Sequence, residues 1–198
     1  MRILIPCFKP FRGRSRIGSQ TLARYLQACL QQTPNQSHEV RVVDIPVRWG
    51  AVESVLNPVI ESWQPDVLIG LGEGGPASIA IETTGRNIRQ GDDVDSTPPP
   101  NEVIVDNGEP ERTCRFSFTW THQMPLSFPI KISIDAGTYL CNNALYYICG
   151  TGCGHTGFIH IPPQGDDDDT HYCALYGPIL YEILRQNTSD AAAEANIA

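Results

Sequence analysis

Two periods of apolar spacing alternate along the chain. The stretch "RILIPC", residues 2 to 7, is almost continuously apolar and predicts a short buried strand. "FKPFRGRSRIGS" then reads as a loop, punctuated by Pro10, Gly13 and Gly18. Apolar residues at 22, 23, 26, 29 and 30 of "QTLARYLQACLQQ" have helical spacing, with Ser19 as the expected N-cap. "HEVRVVDIPV" predicts a second strand, and "VESVLNPVIESWQ" a second helix interrupted near Pro58. "PDVLIGLG" is apolar almost throughout, as a strand covered on both faces would be. "ASIAIETTGRNI" predicts a further extended stretch, and residues 91–112, rich in Pro, Asp, Asn and Gly, an exposed loop. The pattern closes with the strand "IKISIDAG", the helix "TYLCNNALYYICG", the strand "TGFIHIP" and the helix "YGPILYEILRQN".

Strands alternating with helices predict the α/β class: a single-domain three-layer α/β/α sandwich over residues 1–187 with a mixed, largely parallel sheet. Residues 188–198 are expected to be a frayed tail. In such sheets ligands bind beyond the carboxyl ends of the strands, so the loops after Cys7, Gly72, Asp135 and Ile161 are expected to gather there.

Composition narrows the function classes. The chain has 198 residues, 41% of them apolar and 18% charged, enough to bury a core. Its net charge of −8, from 22 acidic and 14 basic residues, argues against nucleic acid as a partner, because phosphate binding needs a basic footprint. Asp166–Asp169 and the cluster Asp92, Asp93 and Asp95 are expected to be solvated loops. No apolar run reaches the length of a membrane span, and no membrane partner is expected. The opening residues do not resemble a signal peptide, since the apolar run Ile3–Ile5 is short and basic residues follow it. Seven cysteines without small-scaffold spacing read as reduced thiols of a cytoplasmic protein.

Candidate chemistry starts at "SIDAGTYLCNNALYYIC", where an extended run meets Gly137 and a helix begins with Cys141 in its first turn. The unpaired N–H groups and partial positive charge of a helix start stabilise a thiolate and can receive an oxyanion. Cys141 is equally compatible, on local sequence, with a small buried apolar residue. His160, in "GFIHIP", lies in or just past an apolar strand, and Glu82 ends the alternating run of "ASIAIE". A buried carboxylate needs a partner, and an imidazolium suits it. The three residues make one economical site: nucleophile, base and orienter.

Several blocks resemble the pyroglutamyl peptidase I family in the family's order. They are "PCFKPFRG", "PDVLIGLGEGG" with "IAIETTGRN", "SIDAGTYLCNNALYY" and "GFIHIP". The resemblance implies a cysteine peptidase that removes an N-terminal pyroglutamyl residue through a thioester. It makes Cys141 the nucleophile, His160 the general base and acid, and Glu82 the orienter. It also implies a lactam pocket whose substrate-binding residues are Phe8, Phe11 and Glu73, no cofactor and no metal, peptides with a blocked N-terminus as partners, and a homo-oligomer, dimer or tetramer. A dry pocket that suits a neutral ring rejects ordinary N-termini, because a charged amine must be desolvated to enter.

The chain also departs from the family pattern. Cys7 stands where the family has Gly, and Lys9 where an acidic residue is common. The turn "GEGGP" is one residue shorter than in bacterial members, and Asp92 falls where the family has an Arg, which leaves Arg86 or Arg89 as alternative candidates for that role. Residues 113–129 do not resemble the family's helical segment. Two alternatives follow: a catalytically weak homologue that binds a peptide end or small lactam, and a zinc protein using Cys149, Cys153, His155, His171 and Cys173. The spacing of that set is not a usual zinc pattern.

Overall fold

The computed structural model describes residues 1–32, 38–116 and 128–195. Its elements are, in order, β1 (Arg2–Phe8), α1 (Gly18–Gln31), β2 (Glu39–Ile45), α2 (Ala51–Trp63), β3 (Val67–Glu73) and β4 (Ile79–Glu82). Next come β5 (Thr84–Arg86), β6 (Glu111–Thr113), β7 (Ile130–Ser133), α3 (Leu140–Cys149), β8 (His155–Ile161) and α4 (Asp169–Ala195). Six strands form one sheet in the order β2-β1-β3-β8-β4-β7. Of its five strand pairs, only β4–β8 is antiparallel. The central strands β1, β3 and β8 are apolar on both faces because helices cover both: α1 with α4 on one side, α2 with α3 on the other. This is the three-layer α/β/α architecture that the alternation predicts.

Several local expectations are corrected. Helix α1 begins one residue before Ser19, with Ile17 at its N-cap, and Ser19 is fully buried inside it. Helix α2 is not interrupted at Pro58, which lies inside it. The stretch 77–88 is not one strand. It breaks at Thr83 into β4 of the main sheet and β5, which pairs with β6 in a separate ribbon. The Asp166–Asp169 run is not only a solvated loop: the Asp168 carboxylate accepts the His171 N–H, a capping arrangement, and Asp169 occupies the first turn of α4. Helix α4 continues past Asn187 to Ala195 and buries Thr188 and Ala191, so helix stands where a frayed tail is expected. Residues 117–127 of the divergent segment 113–129 lie outside the described residues.

The antiparallel pair has a larger consequence. β7 is parallel to β4 and so runs against β8, and the chain leaving Ser133 starts from the opposite end of the sheet to the loops after Phe8, Glu73 and Ile161. A turn through Gly137, at φ +80°, leads from there to the start of α3. A positive φ is costly for other residues, so glycine belongs at that position.

Candidate active site

Helix α3 takes Tyr139 as its N-cap, and Cys141 is its second residue. The first helical hydrogen bond runs from the Asn143 N–H to the Tyr139 carbonyl, and no side chain caps the turn. The backbone N–H groups of Leu140, Cys141 and Asn142 therefore precede the helical ladder and are available to an anion. The helix is pinned from below by its asparagines. Asn142 accepts the Arg86 N–H at 2.8 Å and donates to the Arg86 and Ile88 carbonyls. Asn143 accepts from Arg89 at 2.7 Å, and the Arg89 guanidinium also pairs with Glu53.

The thiol lies over β3 at Gly72, where a β-carbon would come within 3.0 Å of Sγ. Gly72 is in register with His160 of β8, and Cys141 lies close enough to the imidazole to favour its charged form. His160 Nδ1 lies 2.8 Å from Glu82 Oε1, which leaves Nε2 for the thiol. Glu82 is 2% exposed, and its second carboxylate oxygen has no hydrogen-bond partner among the described residues. The Phe158 ring packs edge-on against the imidazole at 5.2 Å between centroids. Burial disfavours the imidazolium, but the neighbouring Cys141 and Glu82 outweigh it, and the His160 pKa is pushed up to about 9. A thiol, an imidazole and a buried carboxylate thus form one line, able to hold a thiolate–imidazolium pair beside free N–H groups. That arrangement suits nucleophilic attack on a carbonyl.

The structure brings together Cys141, His160 and Glu82 and treats the other expected site residues differently. Cys7 pairs with Leu71, so Phe8 lies beside Gly72 on the face that carries the thiol, and it is 4% exposed. Phe11 is half-buried in the following loop, with the Arg14 guanidinium 5.8 Å from its ring centroid. Glu73 follows Gly72 in the strand and so points to the other face, where α1 begins. Its carboxylate takes a bidentate Arg14 pair at 2.6 and 2.9 Å and the N–H groups of Gly18 and Gln164. Glu73 ties the Phe8–Phe11 loop to the sheet and has no free edge on the thiol side.

Sequence reasoning missed Gly72, Phe158 and the brace formed by Arg86. Arg86 pairs with Asp135 and donates to the Gly137 carbonyl at 3.2 Å, so it holds the turn that delivers Cys141. Arg89, by contrast, is enclosed by Asn143 and Glu53. No group of three or more His, Cys, Asp or Glu side chains among the described residues is arranged to hold a metal ion. Cys153 donates to the Pro65 and Asp66 carbonyls. No described helix is long and apolar enough to cross a membrane.

Comparison with known proteins gives a consistent result. The family described as pyroglutamyl peptidase matches residues 1–171. The pyrrolidone-carboxylate peptidase of Thermosipho africanus is 30% identical over 177 residues, covering 82% of this chain and 82% of the relative. Pyroglutamyl-peptidase 1 of Rattus norvegicus is 25% identical over 173 residues, covering 82% and 79%. Among solved structures, a mutant pyrrolidone carboxyl peptidase from P. furiosus superposes with a TM-score of 0.76 over 98% of this chain and 99% of that one. Its identity is 22%, so this likeness is one of fold.

Proposed function

Because the chain belongs to the pyroglutamyl peptidase family, we propose that it is a cysteine peptidase that removes an N-terminal pyroglutamyl residue from peptides. The observation that carries the reading is the line Glu82–His160–Cys141 at an uncapped helix start. In this mechanism the Cys141 thiolate attacks the carbonyl that joins the lactam to the next residue. The new C–S bond leaves an oxyanion, which the N–H groups of the first turn of α3 receive. His160 donates its proton to the leaving nitrogen, the C–N bond breaks, and the peptide departs with a free amine. Water then attacks the thioester, His160 takes its proton, and 5-oxoproline leaves. Glu82 holds the imidazole through Nδ1 and balances its charge.

Phe8 and Phe11 flank the lactam ring, and Glu73 acts on that pocket by holding its loop. We assign no cofactor or metal to the reaction. We place the enzyme in the cytoplasm, a reading supported by seven free cysteines, and assign it neither nucleic acid nor membrane as a partner. The family resemblance carries the expectation of a dimer or tetramer, which sedimentation of the purified chain tests. The activity is tested by chromophore release from a pyroglutamyl amide, beside the prolyl and glutaminyl amides. Turnover of the first alone is expected; no turnover of any by folded protein would overturn the reading.

A further inference from the structure

A cavity of about 280 Å³ opens beside His160, with Ser78, Ala80, Glu82, Lys131 and Ser133 among its walls. Its place follows from the sheet register. Phe8 lies beside Gly72, Gly72 pairs with His160, His160 with Ala80, and Ala80 with Lys131. Residues in register share a face, so these five form one row across the sheet, with the thiol above Gly72. Neighbouring strands lie about 4.8 Å apart, which puts Lys131 about 10 Å beyond His160 along that row. Ala80, between them, is too small to fill the gap.

Reaction chemistry orients a substrate along this row. His160 must reach the leaving nitrogen, so that nitrogen lies on the His160 side of Sγ and the lactam on the Phe8 side. The residue after the scissile bond then crosses His160 toward Ala80 and Lys131. Lys131 is exposed and has no carboxylate partner among the described residues, whereas Asp135 nearby is paired with Arg86. The whole chain carries a net charge of −8 and repels acidic peptides at long range, so a preference for them needs a local cation.

Building on the peptidase reading, we propose that this cavity is the subsite for the first residue of the leaving peptide, and that Lys131 there receives a carboxylate. The carboxylate is either the side chain of an acidic residue or the free C-terminus of a dipeptide. The test compares kcat/KM at low salt for pyroglutamyl-glutamate amide, pyroglutamyl-alanine free acid and pyroglutamyl-alanine amide. One or both acids should exceed the neutral amide by about two- to fivefold, the range of an exposed charge pair. Lys131→Ala should abolish that difference and Lys131→Glu should reverse it, and the acid that responds identifies the source of the carboxylate. Equal kcat/KM for all three substrates, unchanged in Lys131→Ala, overturns the subsite and leaves the peptidase reading standing. Cleavage of none of them by folded protein overturns both.

Discussion

The Cys141 thiol rests against Gly72, where a β-carbon would lie 3.0 Å from Sγ and 2.9 Å from the Phe158 ring. The glycine is there for room, since its φ is not in the left-handed region. Gly72→Ala must therefore push either the nucleophile or the ring against which His160 packs. A shift on the order of 1 Å at reacting atoms costs about 100-fold in rate. The variant is expected to remain folded and to lose kcat to that extent. Melting temperature measured beside kcat checks it, and an unchanged kcat would show that the thiol does not depend on this contact.

Glu82→Gln is expected to lower kcat far more than it changes KM. A glutamine preserves the packing but cannot balance an imidazolium, a function exerted mainly in the transition state. Loss of the orienting carboxylate in comparable triads costs on the order of 10⁴-fold. If Glu82 served only the strand end, the variant would melt earlier and keep its rate per folded molecule. An unchanged kcat in folded protein would leave a Cys141–His160 dyad.

The pH profile follows from His160. Its folded pKa, about 9, lies above the ordinary 6.5, so the folded state binds the proton more tightly. The stabilisation this supplies is complete below pH 6.5 and is lost as pH rises through about 9. Activity that needs the thiolate–imidazolium pair should fall over the same alkaline limb. Rate and urea midpoint, each followed from pH 6 to 10, should decline together, and His160→Gln should flatten the stability curve. A stability that rises across this range would contradict the assigned pair.

That Glu82, His160 and Cys141 come together was legible because each member breaks a local pattern: a thiol in a first turn, a carboxylate ending an apolar strand, a histidine in another. Glu73 misled for a related reason. It adjoins Gly72 in a glycine-rich stretch, but strand alternation sends neighbours to opposite faces, and which face holds the site depends on where α3 lands. The row from Phe8 to Lys131 was not legible either. It depends on β4 and β7 running against β8, a non-local pairing that periodicity within one strand does not encode. Ser19 shows the local limit: a good capping residue is overridden because Gly18 N–H is already taken by Glu73 and the helix starts a residue earlier.

Selective alkylation should single out Cys141. Burial pushes the Cys7, Cys153 and Cys173 thiols up, and a hydrogen bond to Cys114, with burial, does the same for Cys149. Cys141 lies beside the His160 imidazole and is half-buried, whereas Cys114, which the hydrogen bond with Cys149 pushes down, is buried. Limiting iodoacetamide near neutral pH should inactivate in step with modification of Cys141, mapped by peptide mass spectrometry. Loss of activity tracking Cys149 or Cys114, or an active Cys141→Ser variant, would overturn the assignment.

Glu73→Gln separates a structural carboxylate from a substrate contact. Burial pushes the Glu73 carboxyl up, and hydrogen bonds from Arg14, Gly18 and Gln164 outweigh that and hold it below its ordinary 4.5. Its contribution to stability is therefore present above pH 4.5 and lost as pH falls below it. Glutamine can keep one or two of these bonds but leaves the Arg14 guanidinium without its charge partner. Losing hydrogen bonds to a charged group costs about 1.5–3 kcal/mol each at most, so a drop of several degrees in melting temperature at pH 7 is expected. That drop should shrink in acid, where the parent carboxylate protonates too. Because the loop carrying Phe11 is released while Cys141, His160 and Glu82 are untouched, KM should rise with little change in kcat, opposite to Glu82→Gln. A direct contact with substrate predicts a raised KM at an unchanged melting temperature, and that pair of results would return Glu73 to the lactam pocket.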